Sequence, residues 1–265
     1  MDSILNISNL NLSFVSKKNK EDSLYLFRDL SLDVPREKIT ALVGGNGAGK
    51  TTLFNVVSGL RKGFTGNITF EDKNLAGLEP YQIARLGIGR LFQGARVYEE
   101  LSIIDNMLLG AIQTQNEQPF FTILFRRKYN KIEKELVEKA EGLFLDLFGP
   151  DNFFWNNRYQ PAGSLSYGQQ RLLAMARLLM GNYSFFLLDE PTAGVHMQHI
   201  EQIAKLIRHM NSHSHKTVLL IEHNMQFVRQ IAENCLFIDN GNIIAEGITN
   251  EVLDNEIVQQ SYMGF

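Results

Sequence analysis

Gly44-Gly-Asn-Gly-Ala-Gly-Lys-Thr-Thr52 follows five residues, Ile39-Thr-Ala-Leu-Val43, with the continuous apolar character of a strand covered on both faces. After it, Leu53, Val56, Val57 and Leu60 recur at i, i+3, i+4 and i+7, the period of an amphipathic helix. Gly44-x-x-x-x-Gly49-Lys50-Thr51 is therefore a complete phosphate-loop pattern in its required setting, strand before and helix after. The glycines let the backbone N–H groups from Gly44 through Gly45, Asn46, Gly47, Ala48 and Gly49 turn inward around a β-phosphate. A helix that begins near Gly49 points its positive end at the same anion. Lys50 supplies a point charge to the β- and γ-phosphates, the Thr51 hydroxyl is placed for Mg²⁺, and Thr52 completes the cradle. A glycine-rich turn with an incidental lysine would not need that flanking strand and helix.

A second constellation supports the first. Phe185-Phe-Leu-Leu-Asp189-Glu190 sets two carboxylates directly after a strand that should be buried. Carboxylates beside an apolar core are costly unless a metal or hydrogen bonds satisfy them. Next to a nucleotide they have work: Asp189 can hold Mg²⁺ and Glu190 can polarise an attacking water.

The remaining composition is that of an ordinary globular chain of 265 residues, 44% hydrophobic and 21% charged. A net charge of −3 gives no overall basic field for nucleic acid. Cys235 is the only cysteine, which excludes an internal disulfide and fits a reducing compartment. Met1-Asp-Ser-Ile-Leu lacks the start of a signal peptide, and no apolar run approaches the length of a membrane span. The five histidines His196, His199, His209, His213 and His215 lack cysteine or paired acidic partners at a metal spacing and read as polar residues of a helix end and loop.

Strand patterns recur at Leu30–Val34, at 185–188 and at 217–221, and Asn240-Gly241 between two apolar runs is a hairpin signal. Strands alternating with helical stretches predict an α/β core with a largely parallel sheet. From about 102 to 149 the pattern is helical, with Ile132, Leu136, Ala140, Leu143 and Leu147 spaced for one apolar face. Arg126, Arg127, Lys128, Lys131 and Lys134 alternate with Glu133, Glu135 and Glu138, as a solvated helix face would.

Leu165-Ser-Tyr-Gly-Gln169-Gln-Arg171, just ahead of the helical stretch 172–180, resembles the LSGGQ signature of the ATP-binding cassette ATPases. Gln93 in Leu91-Phe-Gln93 resembles that family's Q-loop, and His223 in Leu220-Ile-Glu-His223 its switch histidine. Five motifs stand in family order over essentially the whole chain. The resemblance implies a P-loop NTPase core with a mostly parallel central sheet and an antiparallel β subdomain, at about 1–93 and 165–265. It implies an inserted α-helical subdomain at about 94–164.

It also implies hydrolysis of ATP with Mg²⁺ in a head-to-tail pair of cassettes, either a homodimer or two paralogues. Ser166, Gly168 and Gln169 would then face the γ-phosphate bound by the other subunit. Gln93 would contact Mg²⁺ and the attacking water, and His223 would hold the γ-phosphate and orient Glu190. Phe14 matches the aromatic that stacks on adenine; a strand-end core aromatic is the other reading of it, and Tyr25 is a rival for the role. The implied partners are membrane permease subunits and, through them, a periplasmic binding protein. The implied location is the cytoplasmic face of the inner membrane, peripherally attached.

Two positions depart from the family pattern. Tyr167 replaces the first glycine of the signature, and His196-Met197 stands where Asp or Asn followed by Pro is usual, a loop that couples the two ATP sites. Leu86-Gly-Ile-Gly-Arg-Leu-Phe-Gln93, Leu220-Ile-Glu-His-Asn-Met225 and the tail from Ala245 resemble the branched-chain amino acid importer branch. The urea importer and the lipopolysaccharide-export ATPase share these features, so the cargo stays open. The polar segment 16–23 is typical of none of them. The cytosolic cassette of iron–sulfur assembly is similar in length and fold, but carries Glu-Lys-Lys where this chain has Gln169-Gln170-Arg171.

Overall fold

The computed structural model describes residues 2–14, 24–94, 97–111, 126–212 and 215–263. In chain order the elements are β1 (Ser3–Phe14), β2 (Leu24–Pro35), β3 (Ile39–Val43), α1 (Lys50–Val57), β4 (Thr65–Phe70), β5 (Lys73–Asn74), α2 (Pro80–Leu86) and β6 (Ile88–Leu91). There follow α3 (Ile103–Ala111), α4 (Arg126–Phe148), α5 (Phe153–Asn156), α6 (Tyr167–Met180), β7 (Phe185–Asp189), α7 (Met197–Ser212) and β8 (Thr217–Ile221). The chain closes with α8 (Met225–Ile231), β9 (Asn234–Asp239), β10 (Asn242–Ile248), α9 (Thr249–Leu253) and α10 (Glu256–Met263). None of the helices, among the described residues, is long and apolar enough to cross a membrane.

The strands form two sheets. One has six strands in the order β10-β9-β3-β8-β7-β6, with β9, β3, β8 and β7 parallel and β10 antiparallel at its edge. The other is an antiparallel sheet of four, β2-β1-β4-β5. This is the α/β arrangement with an antiparallel β subdomain expected above. All five residues of β3, of β7 and of β8 are buried, as parallel strands covered on both faces must be. The chain divides into two compact units, Met1–Arg90 with Ser184–Pro191 and Met210–Phe265, and Leu91–Tyr183 with Thr192–His209. The second takes in α6 as well as the helices between residues 94 and 164.

In the first unit a single apolar core joins the two sheets through α1. Leu5, Ile7 and Leu10 of β1, Leu53 and Phe54 of α1, and Phe185 and Leu187 of β7 all belong to it. Phe70 and Phe185 stack with ring centroids 5.9 Å apart. Asn240 and Gly241 both take positive φ, 45° and 76°, and turn β9 into β10 as the sequence signals. Gly241 has a further reason to be glycine, because a Cβ there would fall 1.8 Å from the Leu26 carbonyl oxygen. Cys235, in β9, is fully buried, and burial pushes its thiol up to about 12.

Two sequence expectations shift in detail. The helix after the phosphate loop stops at Val57, capped at Ser58, so Leu60 lies outside it and is half exposed. In α4 the buried face is Ala140, Phe144 and Leu147, whereas Ile132 is 41% exposed. Phe144 replaces Leu143 on that face because it stacks on Phe154 of α5 at 5.5 Å and 2°. The basic stretch is solvated as read: Lys131 pairs with Glu135 and Lys134 with Glu138, one turn apart on exposed helix. Residues 16–23, and the side chains of Arg126, Arg127 and Lys128, lie outside the described residues.

Leu187 is the middle of β7, with no exposure and core contacts on both faces. Leu187→Ala should lower unfolding free energy by about 2–5 kcal/mol through lost transfer energy and a residual cavity. A urea titration followed by circular dichroism reads this directly; a loss below about 1 kcal/mol would show that the site collapses around the smaller side chain.

Candidate functional site

The phosphate loop is pinned to the sheet at its first residue. A Cβ on Gly44 would lie 2.1 Å from the carbonyl oxygen of Ile238 on the neighbouring strand β9, so only glycine lets the backbone pass. At the other end Gly49, with φ 100°, is the N-cap of α1 and brings no capping side chain. The first N–H groups of that helix, which point along its axis, are thus left for a ligand. Lys50 is buried and its Nζ donates to the carbonyl oxygens of Gly44, at 2.7 Å, and Gly45, at 2.8 Å. Burial pushes its ammonium pKa down, and Glu190 and Asp189 nearby pull it back up.

β7 delivers the two carboxylates. Asp189, only 1% exposed, accepts a hydrogen bond from Thr51 Oγ1 on one oxygen at 3.4 Å. Its other oxygen lies 3.2 Å from Arg90 Nη2. Burial raises the Asp189 pKa, and the Arg90 guanidinium opposes that rise. Glu190 takes the left-handed region with φ 47°, which is uncommon for a residue with a side chain. Its N–H donates to the Ile221 carbonyl at 3.0 Å, so the chain leaves β7 still tied to β8. That turn brings Glu190 Oε1 to 3.2 Å from His223 Nε2, just beyond β8. An ionised carboxylate can only accept, so Nε2 carries the hydrogen whenever Glu190 is charged.

These side chains share an open cleft of about 230 Å³ lined by Leu26, Asn46, Gly47, Gly49, Lys50, Thr51, Thr52, Glu190 and His223. Gly45 and Ala48 belong to the same loop. Among the described residues no group of three or more His, Cys, Asp or Glu could cage a metal by itself. A hydroxyl and one carboxylate beside a phosphate cradle nonetheless suit Mg²⁺, which prefers hard oxygen donors and takes the rest of its shell from substrate phosphates and water. The apolar wall is Leu26, a residue that the sequence reading did not single out. Phe14 is the last residue of β1, and its side chain lies outside the described residues. Tyr25 is half exposed with the Arg28 guanidinium 4.8 Å from its ring centroid.

The remaining predicted residues belong to the second unit. Ser166 is the N-cap of α6; its Oγ accepts from the Gln169 N–H while Gln169 Oε1 accepts from the Ser166 N–H, a capping box. The hydroxyl keeps its own hydrogen for a phosphate oxygen. Tyr167 is tolerated in place of glycine because it is the exposed first residue of the helix, its ring lying over Gly194. Gly168 cannot be larger: a Cβ would fall 2.4 Å from the His199 ring. His196 is exposed, and its carbonyl accepts from His199 N–H at 2.9 Å in the first turn of α7.

Gln93 is exposed, and the backbone on both sides of it is held by Arg171. Arg171, fully buried, donates from Nη1 to the carbonyls of Phe92, at 2.9 Å, and Gly94, at 2.7 Å. Neither Arg171 nor Arg90 was assigned a role from sequence. A signal existed for Arg90, a lone charge in the apolar stretch Ile88-Gly-Arg-Leu91, since a buried charge requires a partner.

An ABC transporter family model matches residues 27–193. The high-affinity branched-chain amino acid transport ATP-binding protein LivG of Salmonella typhimurium is 32% identical over 241 residues, 91% of this chain and 92% of that protein. The corresponding BraF protein of Pseudomonas aeruginosa is 33% identical over 262 residues, 98% of each. Among solved structures, an ATP-binding cassette of an ABC transporter in its ADP conformation aligns over 100% of both chains, with a TM-score of 0.80 and 30% identity.

Removing the Arg171 guanidinium should loosen the segment that carries Gln93. In Arg171→Leu, amides 91–94 should exchange hydrogen at least about tenfold faster, since two carbonyl contacts of a charged donor are lost. Amides of α1 should keep their protection. Hydrogen exchange with mass spectrometry makes the comparison, and unchanged exchange at 91–94 would show that the segment is held by other contacts.

Proposed function

Since the chain belongs to the ABC transporter family, we propose that it powers the import of branched-chain amino acids or similar small polar solutes through separate membrane permease subunits. It is the ATP-hydrolysing subunit; the proposal concerns the cargo, the partners and the residues that do the work. The single observation that carries the reading is the cleft in which Lys50, Thr51, Glu190 and His223 converge. The cargo rests on the names of relatives such as LivG and BraF, which the chain matches over nearly their whole length.

The roles follow from the geometry. Backbone N–H groups from Gly44 to Thr52 and the α1 N-terminus cradle the β-phosphate, and Lys50 adds a compact charge to the β- and γ-phosphates. Thr51 and Asp189 would hold Mg²⁺, with Gln93 a further oxygen donor. When bound, Mg²⁺ neutralises charge on the β- and γ-oxygens. Glu190 accepts a proton from the attacking water, and His223 fixes the orientation of its carboxylate through the 3.2 Å contact. In a head-to-tail pair, Ser166, Gly168 and Gln169 of one copy would donate to the γ-phosphate held by the other. Such a pair, with permeases, places the protein on the cytoplasmic face of the inner membrane.

Replacing Glu190 with glutamine keeps its size and removes its basicity. Glu190→Gln should lower kcat for ATP hydrolysis about 10²–10⁴-fold while sparing ATP binding. The variant should elute as an ATP-dependent dimer on size-exclusion chromatography, and Lys50→Ala should bind ATP poorly and give no such dimer. Near wild-type hydrolysis in Glu190→Gln would take the proton-accepting role away from this residue.

The cargo and partners are tested separately. Solubilised membranes should yield polytopic proteins bound to the tagged chain, and deleting the gene should reduce uptake of radiolabelled leucine. Capture of soluble proteins alone would sink the transport reading, whereas unchanged leucine uptake with permeases captured would overturn only the cargo.

A further inference from the structure

Arg90 lies in β6, next to β7 in the sheet, and its side chain is almost as buried as the aspartate it meets, 6% against 1% exposure. Three groups surround its guanidinium. Nη2 lies 3.2 Å from Asp189 Oδ2, Nη1 donates to Ser58 Oγ at 2.6 Å, and the ring centroid of Phe54 is 5.7 Å from the guanidinium carbon. Ser58 Oγ passes its own hydrogen to the Phe54 carbonyl at 2.6 Å, so the arginine is fastened to the last turn of α1. At the opposite end of the same helix Thr51 donates to the remaining Asp189 oxygen, Oδ1.

We propose that Arg90 is a positioning residue for the nucleotide site: it takes one oxygen of Asp189 and thereby turns the other toward Thr51 and the metal position. The torsion that rotates an aspartate carboxylate is soft and roughly two-fold, so burial alone does not select which oxygen faces the loop. A bidentate-capable planar fork anchored at Ser58 does select it. Lysine carries the same charge but one nitrogen, and cannot reach Ser58 and Asp189 together in this geometry. Arg90 touches neither substrate nor metal in this scheme. It transmits the position of the far end of α1 to the carboxylate at its near end.

The inference rests on the reading of the cleft as a Mg²⁺-nucleotide site, and the test separates the two. A fluorescent ATP analogue is titrated onto the full chain first in EDTA and then across a range of MgCl₂, with the thermal midpoint of each ligand-free variant as a check on folding. Arg90→Lys should bind the analogue in EDTA within about twofold of wild type, yet need roughly tenfold or more Mg²⁺ for half its effect, the loss typical when a group behind a metal ligand is changed. Ser58→Ala, which keeps the ion pair and removes only its anchor, should shift the Mg²⁺ requirement in the same direction by less.

A wild-type chain whose analogue binding ignores Mg²⁺ would bring down both the site reading and this inference. Normal Mg²⁺ dependence in Arg90→Lys, whether or not its thermal midpoint falls, would overturn the positioning role alone. If Arg90→Lys does not fold, Ser58→Ala decides: an unchanged Mg²⁺ requirement overturns the proposal.

Discussion

A carboxylate that is 1% exposed at the end of a strand buried on both faces is the constraint around which the first unit is organised. An isolated ionised group in such a place would cost far more than a domain's whole stability, so its surroundings must satisfy it. Arg90 from β6 and Thr51 from α1 do so, one oxygen each. Because α1 begins at Lys50, the same requirement holds the phosphate loop against the end of β7. Breaking the pair from either side would leave a buried charge without its counter-charge, which costs more than the pair itself contributes. The arrangement therefore selects one geometry more than it adds stability.

In the second unit an arginine works in the reverse sense. Arg171 is a buried cation whose partners are neutral carbonyls at Phe92 and Gly94, so its charge is spread over backbone and not over a carboxylate. It sits one turn into the helix whose cap is Ser166, and ties that helix to the segment bearing Gln93. The signature cap and Gln93 thus belong to one mechanically continuous piece. A displacement at either would be felt at the other without any change of rotamer between them.

Much of this was legible in the residues, and the parts that were not have common causes. The loop, its flanking strand and the two carboxylates were readable because each has a local cause: glycine spacing, apolar continuity, charge after a strand. The Asn240-Gly241 hairpin was equally local. Leu60 and Ile132 fit a helical period yet are exposed, because period marks a face and not the neighbour that covers it. Phe144 won its place from Phe154, ten residues on, a partner no window on α4 contains. Arg90 and Arg171 were quoted within motifs without being given work, since their partners stand 99 and 77–79 residues away. The Glu190–His223 contact was expected only through family resemblance; the left-handed backbone at Glu190 that allows it has no signature in a residue that ordinarily avoids that region.

The lone cysteine has a practical corollary. Cys235 is fully buried in β9 and its thiol is pushed up to about 12, so near neutral pH its thiolate fraction is of the order of one in 10⁵. Thiol-directed dyes and spin labels react with the thiolate, and would pass this residue by while the fold is intact. The native chain is in effect a cysteine-free background that needs no prior substitution. A single cysteine introduced at the exposed position of His196 or Tyr167 would carry the only signal in the molecule, and the awakening of Cys235 itself would report that β9 had come apart.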